Sequence, residues 1–296
     1  MGDCFGKDRA WIELDMGALR HNVAALRALL PPGCALMPAV KADAYGHGAV
    51  LIARELNRLG VRAFCVASAR EGAQLRGSGV EGEILVLGYT HPRLIPLLYR
   101  SRLTQTVLDA SYAECLNQAG LPLEVQIKID TGMHRLGFDP RCDMDELISR
   151  LKHQNAIIPR SVFSHFVGSD SDDFDNFSDM QFKLFDEGSK KLQSAFSHKI
   201  LRHMDNSAGI EHFPERQMDM CRLGLGLYGI DSRDNSVLNT VSTLKTTILQ
   251  IHRVPKEETV GYSRKGVLTR DSVIGAIPIG YADGLNRRLG CGHFYC

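Results

Sequence analysis

Short apolar runs alternate with longer amphipathic stretches between about residues 35 and 230. Such runs are typical of buried parallel strands, and apolar residues three and four positions apart are typical of the helices that cover them. Candidate strands lie at 35–41, 63–67, 83–87, 104–108, 123–129, 160–166, 199–204 and 220–225, and helical spacing marks Ala49–Leu59, Ala69–Arg76 and Met180–Phe196. Because eight strand-helix units close a barrel, the pattern predicts an α/β fold, a (β/α)8 TIM-type barrel.

The pattern changes after about residue 237. Segments 244–252, 259–262 and 272–279 are rich in β-branched residues and have no long helical intervals between them, which predicts an all-β domain. We therefore expect a barrel over residues 10–237 and a β domain over residues 238–296. The last residues have neither the polarity of a frayed tail nor the caps of a finished element. We expect an incomplete C-terminal domain in a chain that is a fragment.

Composition and charge narrow the function classes. The 296 residues include 35 basic and 34 acidic side chains, and the net charge is +1. This balance argues against a nucleic-acid binder, which shows a basic surplus or stripe. No apolar run approaches the ~18 residues of a transmembrane helix, and no signal-peptide core is present, so we expect a soluble, cytoplasmic protein. The eight cysteines lack the spacing of zinc ligands, which predicts reduced thiols and no metal site.

The first predicted strand is followed by a lysine at the position where barrel enzymes place their chemistry. Catalytic groups of such barrels lie at the C-terminal ends of the strands, and Lys41 stands there, before a turn that contains glycine. A desolvated lysine supplies the neutral amine that forms a Schiff base with an aldehyde cofactor. The alternative is that Lys41 only caps the strand and extends its amine to solvent.

Polar residues close four further strands. After strand five, Arg135 is suited to clamp a carboxylate, or else to pair with Asp130. Strand six ends at His165. The backbone amides of Asn206-Ser207 and the glycines of 222–226 are suited to hold a phosphate after strands seven and eight. One such residue alone is more often structural, but their convergence at one rim favours an active site.

These motifs resemble those of the fold-type III alanine racemases, which use pyridoxal 5'-phosphate (PLP). The matching stretches, in the family's order, are Val40–Gly48, Lys128–Phe138, Asn206-Ser207, Arg222-Leu223-Gly224, Val260-Gly261-Tyr262 and Gly280–Gly284. The resemblance implies an isomerase that interconverts the L and D forms of alanine, serine or both, for peptidoglycan precursors. It also implies that the strand at residues 11–15 belongs with the C-terminal β domain.

The resemblance implies a set of PLP-binding residues. They are Lys41, Tyr45, Asn206, Ser207, Arg222, Gly224 and Leu225. Lys41 would be the Schiff-base lysine, and Arg222 would face the pyridine nitrogen. A guanidinium stays protonated, so the ring remains uncharged, and reactions other than removal and return of one proton are discouraged.

The resemblance also implies two catalytic bases, because the proton leaves one face of the substrate and returns to the other. These are Lys41 and Tyr262, and Tyr262 comes from the partner subunit of a head-to-tail homodimer. His165, backed by Arg222, would stabilise the tyrosine phenolate through a hydrogen-bond relay.

The substrate-binding residues implied by the family are Arg135, Lys128 and Tyr281. Arg135 would bind the substrate carboxylate, and Lys128 matches a position often found carbamylated, where the new negative charge would orient Arg135. Tyr281, with Asp170 and Arg287, matches polar residues of the substrate entryway.

Three stretches are most similar to one branch of this family. Segments 79–90, 103–108 and 128–138 resemble the racemase domain of the membrane-bound serine/alanine racemases of vancomycin-resistance clusters. That likeness implies a membrane domain before Met1 in a parent protein, and no other membrane contact is expected.

Three alternatives remain. A fold-type III decarboxylase would place an acidic residue opposite the pyridine nitrogen, so Arg222 argues against it. A single-domain PLP carrier would lack a β-domain tyrosine, so Val260-Gly261-Tyr262 argues against it. An inactive remnant of a truncated racemase is supported only by the early end of the chain.

Overall fold

The computed structural model describes residues 9–230, 237–286 and 288. These residues fall into two compact units. One spans residues 15–241, and the other contains the described parts of 1–14 and 242–296. We refer to them as the barrel unit and the strand-rich unit.

The strand-rich unit contributes the first strand, β1 (Ala10–Leu14). The barrel unit contributes the next eight strands. They are β2 (Ala35–Pro38), β3 (Ala63–Val66), β4 (Glu83–Val86), β5 (Thr104–Val107), β6 (Leu123–Lys128), β7 (Ile157–Phe163), β8 (Leu201–His203) and β9 (Met220–Leu223).

The eight barrel strands form a closed ring. Strands β3 to β8 lie in order in one parallel sheet, and β2 pairs in parallel with β9. A parallel bridge between Ala39 and Cys65 joins β2 to β3. Between β8 and β9, the amide of Asp219 donates to the carbonyl of Arg202 and the amide of Arg222 donates to that of Asp205, both at 3.0 Å. The predicted (β/α)8 barrel is thereby confirmed.

Each barrel strand ends one to three residues before its predicted end, and the residues beyond that end lead into the loops at the rim. The strand predicted at 160–166 also begins earlier, at Ile157. A cluster of apolar, buried side chains packs inside the ring. They are Met37, Ala39, Ala63, Cys65, Leu85, Phe163 and Met220.

Helices surround this ring. They are α1 (Met16–Ala28), α2 (Lys41–Tyr45), α3 (Ala49–Arg58), α4 (Ala69–Gly77), α5 (Ile95–Arg100), α6 (Ala110–Gln118), α7 (Met144–Lys152), α8 (Asp175–Ser194) and α9 (Ser207–His212). Apolar spacing locates α3 and α4 to within one residue. Helix α8 begins five residues before the predicted start at Met180, because its first turns are polar and carry little apolar periodicity.

The strand-rich unit is built from antiparallel pairs. Strand β10 (Ser242–Thr246) pairs with β1, β11 (Gln250–Val254) pairs with β14 (Ser272–Ala276), and β12 (Thr259–Val260) pairs with β13 (Gly266–Val267). The predicted β character of this region is confirmed, although the segment 244–252 divides between β10 and β11. Among the described residues, no helix combines the length and the apolar character that crossing a bilayer requires.

Candidate active site

A cavity of about 380 Å³ lies at the rim of the barrel unit, where the loops that follow the strands meet. Eight of the residues singled out from the sequence line it. They are Lys41, Tyr45, His165, Asn206, Ser207, Arg222, Gly224 and Leu225. Asp170 lines it as well. The structure therefore brings the ends of β2, β7, β8 and β9 together around one space.

Lys41 enters the cavity wall from a left-handed turn. The residues from Ala42 to Tyr45 have φ values of 50–55°. This conformation costs roughly 1–2 kcal/mol for each L residue, so other contacts must hold it. One of them is the carboxylate of Asp43, which accepts a hydrogen bond from the amide of Ala49 at 2.7 Å. The turn keeps the Lys41 amine 6.0 Å from the centre of the Tyr45 ring.

Two glycines keep a space open beside Ser207. The Ser207 hydroxyl oxygen accepts hydrogen bonds from the amides of Gly224 at 2.8 Å and Gly226 at 3.2 Å. A Cβ at residue 224 would lie 3.4 Å from the Tyr45 hydroxyl, and one at residue 226 would lie 3.3 Å from the Ser207 Cβ. The two glycines therefore leave room beside the Ser207 and Tyr45 hydroxyls, and the amides and hydroxyls together suit an anion.

Asn206 acts through the helix that follows it. Its side-chain oxygen accepts from the amide of Gly209 at 2.9 Å, which caps α9, and from the hydroxyl of Ser169 at 2.7 Å. The Asn206 side chain is therefore occupied in holding the start of α9, which carries Ser207 into the cavity wall.

Arg222 is the buried cation at the base of the cavity, with 5% of its surface exposed. Its two terminal nitrogens donate to the Ser164 and Met204 carbonyls and to ring nitrogens of His165 and His203. Burial lowers the pKa of Arg222 to about 10, so the guanidinium remains protonated at neutral pH. Within the described part of the chain Nε makes no hydrogen bond, which leaves one N–H for a ligand.

His165 is held neutral by its surroundings. Arg222 can only donate, so the His165 Nδ1 at 3.1 Å from Nη2 is the acceptor, and the ring proton resides on Nε2. Burial and the charge of Arg222 hold the pKa of His165 well below its usual value. At neutral pH, His165 presents an uncharged N–H donor.

A second histidine, which the sequence analysis did not single out, supports Arg222 from below. The His203 Nδ1 accepts from Arg222, and its Nε2 donates to the Gln126 side-chain oxygen at 2.8 Å. The Gln126 amide donates in turn to Glu83 at 2.6 Å. Burial lowers the pKa of His203 well below its usual value, so this buried chain of hydrogen bonds contains a neutral imidazole. The available signal was a histidine inside a predicted barrel strand.

Lys128 lies in the barrel interior, and only 6% of its surface is exposed. Its amine donates to the Ile129 carbonyl at 3.0 Å and lies 5.3 Å from the centre of the Phe163 ring. Burial, together with the positive charge of Arg222, lowers the pKa of Lys128 to about 7. A substantial fraction of this amine is therefore unprotonated at neutral pH.

Arg135 is exposed on the loop after β6 and is not among the cavity-lining residues of the described chain. Its alternative partner, Asp130, is otherwise engaged. The Asp130 carboxylate accepts from the amides of Gly132 at 2.9 Å and His134 at 3.1 Å and so shapes the loop. Binding of a substrate carboxylate by Arg135 stays a prediction.

Tyr262 and Tyr281 lie in the strand-rich unit. Tyr262 begins a short 3-10 turn after β12 and is 82% exposed, and Tyr281 begins another such turn and is 61% exposed. Their roles stay predictions. Arg287 lies outside the described residues.

Comparison with known proteins covers nearly the whole chain. A family model described as alanine racemase, N-terminal domain, matches residues 14–232, and one described as alanine racemase, C-terminal domain, matches residues 241–296. The amino-acid racemase of Enterococcus faecalis is 36% identical over 97% of this chain, which covers 41% of that protein. The chain thus spans less than half the length of that relative.

Two alanine racemases match over more of their own length. That of Carboxydothermus hydrogenoformans is 37% identical over 94% of this chain, which covers 77% of it. The structure of alanine racemase from Clostridium difficile 630 has a TM-score of 0.85 and 31% identity, with 94% of this chain and 75% of that one covered. With both family models matched and these identities reached, the chain belongs to the alanine racemase family, whose members depend on PLP.

Proposed function

We propose that this chain binds PLP in the barrel cavity and interconverts the L and D forms of alanine, and of serine as a second substrate. The observation that carries the proposal is the convergence of three features in one cavity: the Lys41 amine, the buried Arg222 and the cradle formed by Ser207 and two glycines. Membership of the alanine racemase family supports the same reaction.

The donor set of the cavity fits PLP. The Ser207 and Tyr45 hydroxyls and the Leu225 amide would hold the phosphate, together with the Gly224 amide once it exchanges its bond to Ser207 for one to the phosphate. The free Nε–H of Arg222 would face the ring nitrogen, and the amine of Lys41 would react with the aldehyde. When bound, PLP supplies this aldehyde and a conjugated ring that accepts electron density as an α-proton leaves.

Arg222 sets how strongly electron density is withdrawn. Its guanidinium stays protonated and donates a hydrogen bond without transferring the proton, so the ring nitrogen remains uncharged. This weak withdrawal suffices for removal and return of one proton, and it disfavours the decarboxylase alternative. His203 and Gln126 contribute by fixing the orientation of the guanidinium.

Two bases would move the proton. The Nζ of Lys41 serves one face of the substrate, and the hydroxyl of Tyr262 from a partner subunit serves the other. A tyrosine hydroxyl titrates near ~10, so its ionised form needs support. The Nε2–H of His165, held toward ligands by Arg222, would donate to the phenolate oxygen. The homodimer follows from this requirement for a second subunit.

The expected substrates are small amino acids, whose carboxylate Arg135 would bind. The name of the Enterococcus faecalis relative, an amino-acid racemase, favours a range wider than alanine. The association with vancomycin resistance and the cytoplasmic location stay predictions.

The proposal is tested by α-proton exchange in deuterium oxide. PLP-loaded protein is incubated separately with L-alanine, L-serine and L-lysine, and NMR follows the α-proton while chiral chromatography follows the D enantiomer. We expect exchange and D product from alanine and serine and neither from lysine. Carbon dioxide released from lysine would instead establish the decarboxylase. PLP attached at Lys41 without exchange of any substrate would establish the carrier or the inactive remnant.

A further inference from the structure

Three potential metal ligands converge beside the cavity, outside the residues assigned to PLP. Asp172 lies in a 3-10 turn after β7, Asp175 begins α8, and His212 ends α9. One ligand atom of each lies within 4.8 Å of the others. The absence of a metal site expected from the sequence rested on cysteine and histidine spacing, which cannot reveal ligands from separate loops.

The tautomer of His212 is determined by its neighbour. The His212 Nδ1 lies 3.0 Å from the Ser169 carbonyl, which can only accept, so Nδ1 carries a proton. The other ring nitrogen, Nε2, lies 3.1 Å from an oxygen of Asp175 and 3.5 Å from one of Asp172. The His212 side chain is nine-tenths buried. Without a cation or a second proton, the lone pair of Nε2 would face two carboxylates.

The geometry distinguishes a metal ion from a proton. The Asp175 oxygen nearest to Nε2 is closed to solvent and makes no hydrogen bond, despite the 3.1 Å separation. A proton on Nε2 therefore does not point at it. In a tetrahedral zinc site each ligand atom lies ~2.0–2.1 Å from the ion. Two such ligand atoms are therefore about 3.3 Å apart, and both point at the ion and not at each other. The separations of 3.1 and 3.5 Å agree with this arrangement.

We propose that Asp172, Asp175 and His212 bind a divalent zinc-like cation, with water completing the coordination. One imidazole nitrogen and two carboxylates suit zinc, whereas calcium and magnesium prefer oxygen ligands alone. The hydrogen bond from Nδ1 to Ser169 is the kind of outer contact that orients a metal-binding histidine. The ion would link the segment that carries Asp170 to α9, which carries Ser207, and so stabilise two walls of the cavity.

The test uses PLP-loaded protein dialysed against a chelator and then titrated with zinc, followed by calorimetry and elemental analysis. Cobalt(II) titration provides a second readout, because visible absorption bands report the ligand geometry. The variants are Asp172→Asn and His212→Gln, and the matched control is Asp173→Asn, an exposed carboxylate outside the cluster. Circular dichroism verifies that each variant is folded.

We expect one zinc per chain, at least tenfold weaker affinity in Asp172→Asn and His212→Gln, and affinity within twofold of the parent chain in Asp173→Asn. Because Asp172 is exposed, its variant tests the site even if His212→Gln fails to fold. Two results would overturn the proposal. One is the absence of saturable binding at one ion per chain, and the other is equal affinity in Asp172→Asn and Asp173→Asn. Either would reduce the cluster to an ion pair between protonated His212 and its carboxylates.

Discussion

Replacing Lys128 by methionine should remove a pH dependence of stability that this one amine creates. The folded protein holds the pKa of Lys128 at about 7 because the amine is buried beside Arg222, whereas the ordinary pKa of a lysine is 10.5. Below pH 7 both the folded and the unfolded chain carry the proton. Between pH 7 and 10.5 only the unfolded chain binds it, so the free energy of unfolding rises with pH.

The magnitude follows from the size of the shift. Each pKa unit corresponds to 1.36 kcal/mol, so the full contribution between pH 7 and 10.5 is about 5 kcal/mol. Over the accessible interval from pH 7.5 to 9.5, the difference in unfolding free energy between the parent chain and Lys128→Met should change by about 3 kcal/mol. The parent chain gains stability relative to Lys128→Met as the pH rises.

Urea unfolding of PLP-loaded protein, followed by circular dichroism at several pH values, measures this difference. Buffers are kept free of carbon dioxide so that the amine is not carbamylated. The control is Lys152→Met, at an exposed position on α7. Its unfolding free energy should change with pH in the same way as that of the parent chain. A difference between the parent chain and Lys128→Met that stays within about 1 kcal/mol across the interval would refute the burial argument.

Three further predictions concern the cavity. Gly224→Ala should weaken PLP binding at least tenfold in absorbance titrations, because the added methyl group, 3.4 Å from the Tyr45 hydroxyl and 3.7 Å from that of Ser207, would occupy space proposed for the phosphate, whereas Gly77→Ala, with open space around it, should bind normally. Arg222→Lys should lower the unfolding free energy measured in urea by about 2–5 kcal/mol. One ammonium group cannot donate to all the buried acceptors of the guanidinium, and each acceptor left unpaired costs ~1–3 kcal/mol. An unchanged urea midpoint would contradict this prediction. Tyr262→Phe should slow α-proton exchange from L-alanine at least a hundredfold and from D-alanine less. If the variant kept the full exchange rate with both enantiomers, the two-base assignment would be wrong.

The barrel was predictable because its strands are buried on both faces. Runs such as 63–67 and 84–87 are apolar throughout, and no competing local preference obscures them. The polar residues that close these runs mark the rim, which is why Lys41 was a candidate from its position, whereas Arg222 was assigned from the resemblance to the family. The start of α8 was missed because four of its first five residues are polar, and a polar helical turn and a polar loop have similar compositions.

Contacts between distant segments could not be predicted in the same way. The role of His203 depends on Arg222 from the next strand and on Gln126 from across the barrel. The carboxylates beside His212 come from another loop. The sequence from Ala42 to Tyr45 also does not indicate positive φ values, because alanine and tyrosine are ordinary residues of right-handed helices. In each case the deciding interaction is tertiary.

The left-handed turn after Lys41 has a consequence for the order in which the protein folds. A run of L residues with positive φ is unstable in isolation, so it can form only after its supports are in place. Those supports include α3, whose first amide is bound by Asp43, and α4, whose Glu71 accepts from the amide of Ala42 at 3.1 Å. We therefore expect Lys41 to reach its final position after these helices have formed. In stopped-flow refolding, the absorbance change of PLP attachment should lag behind the recovery of helical circular dichroism.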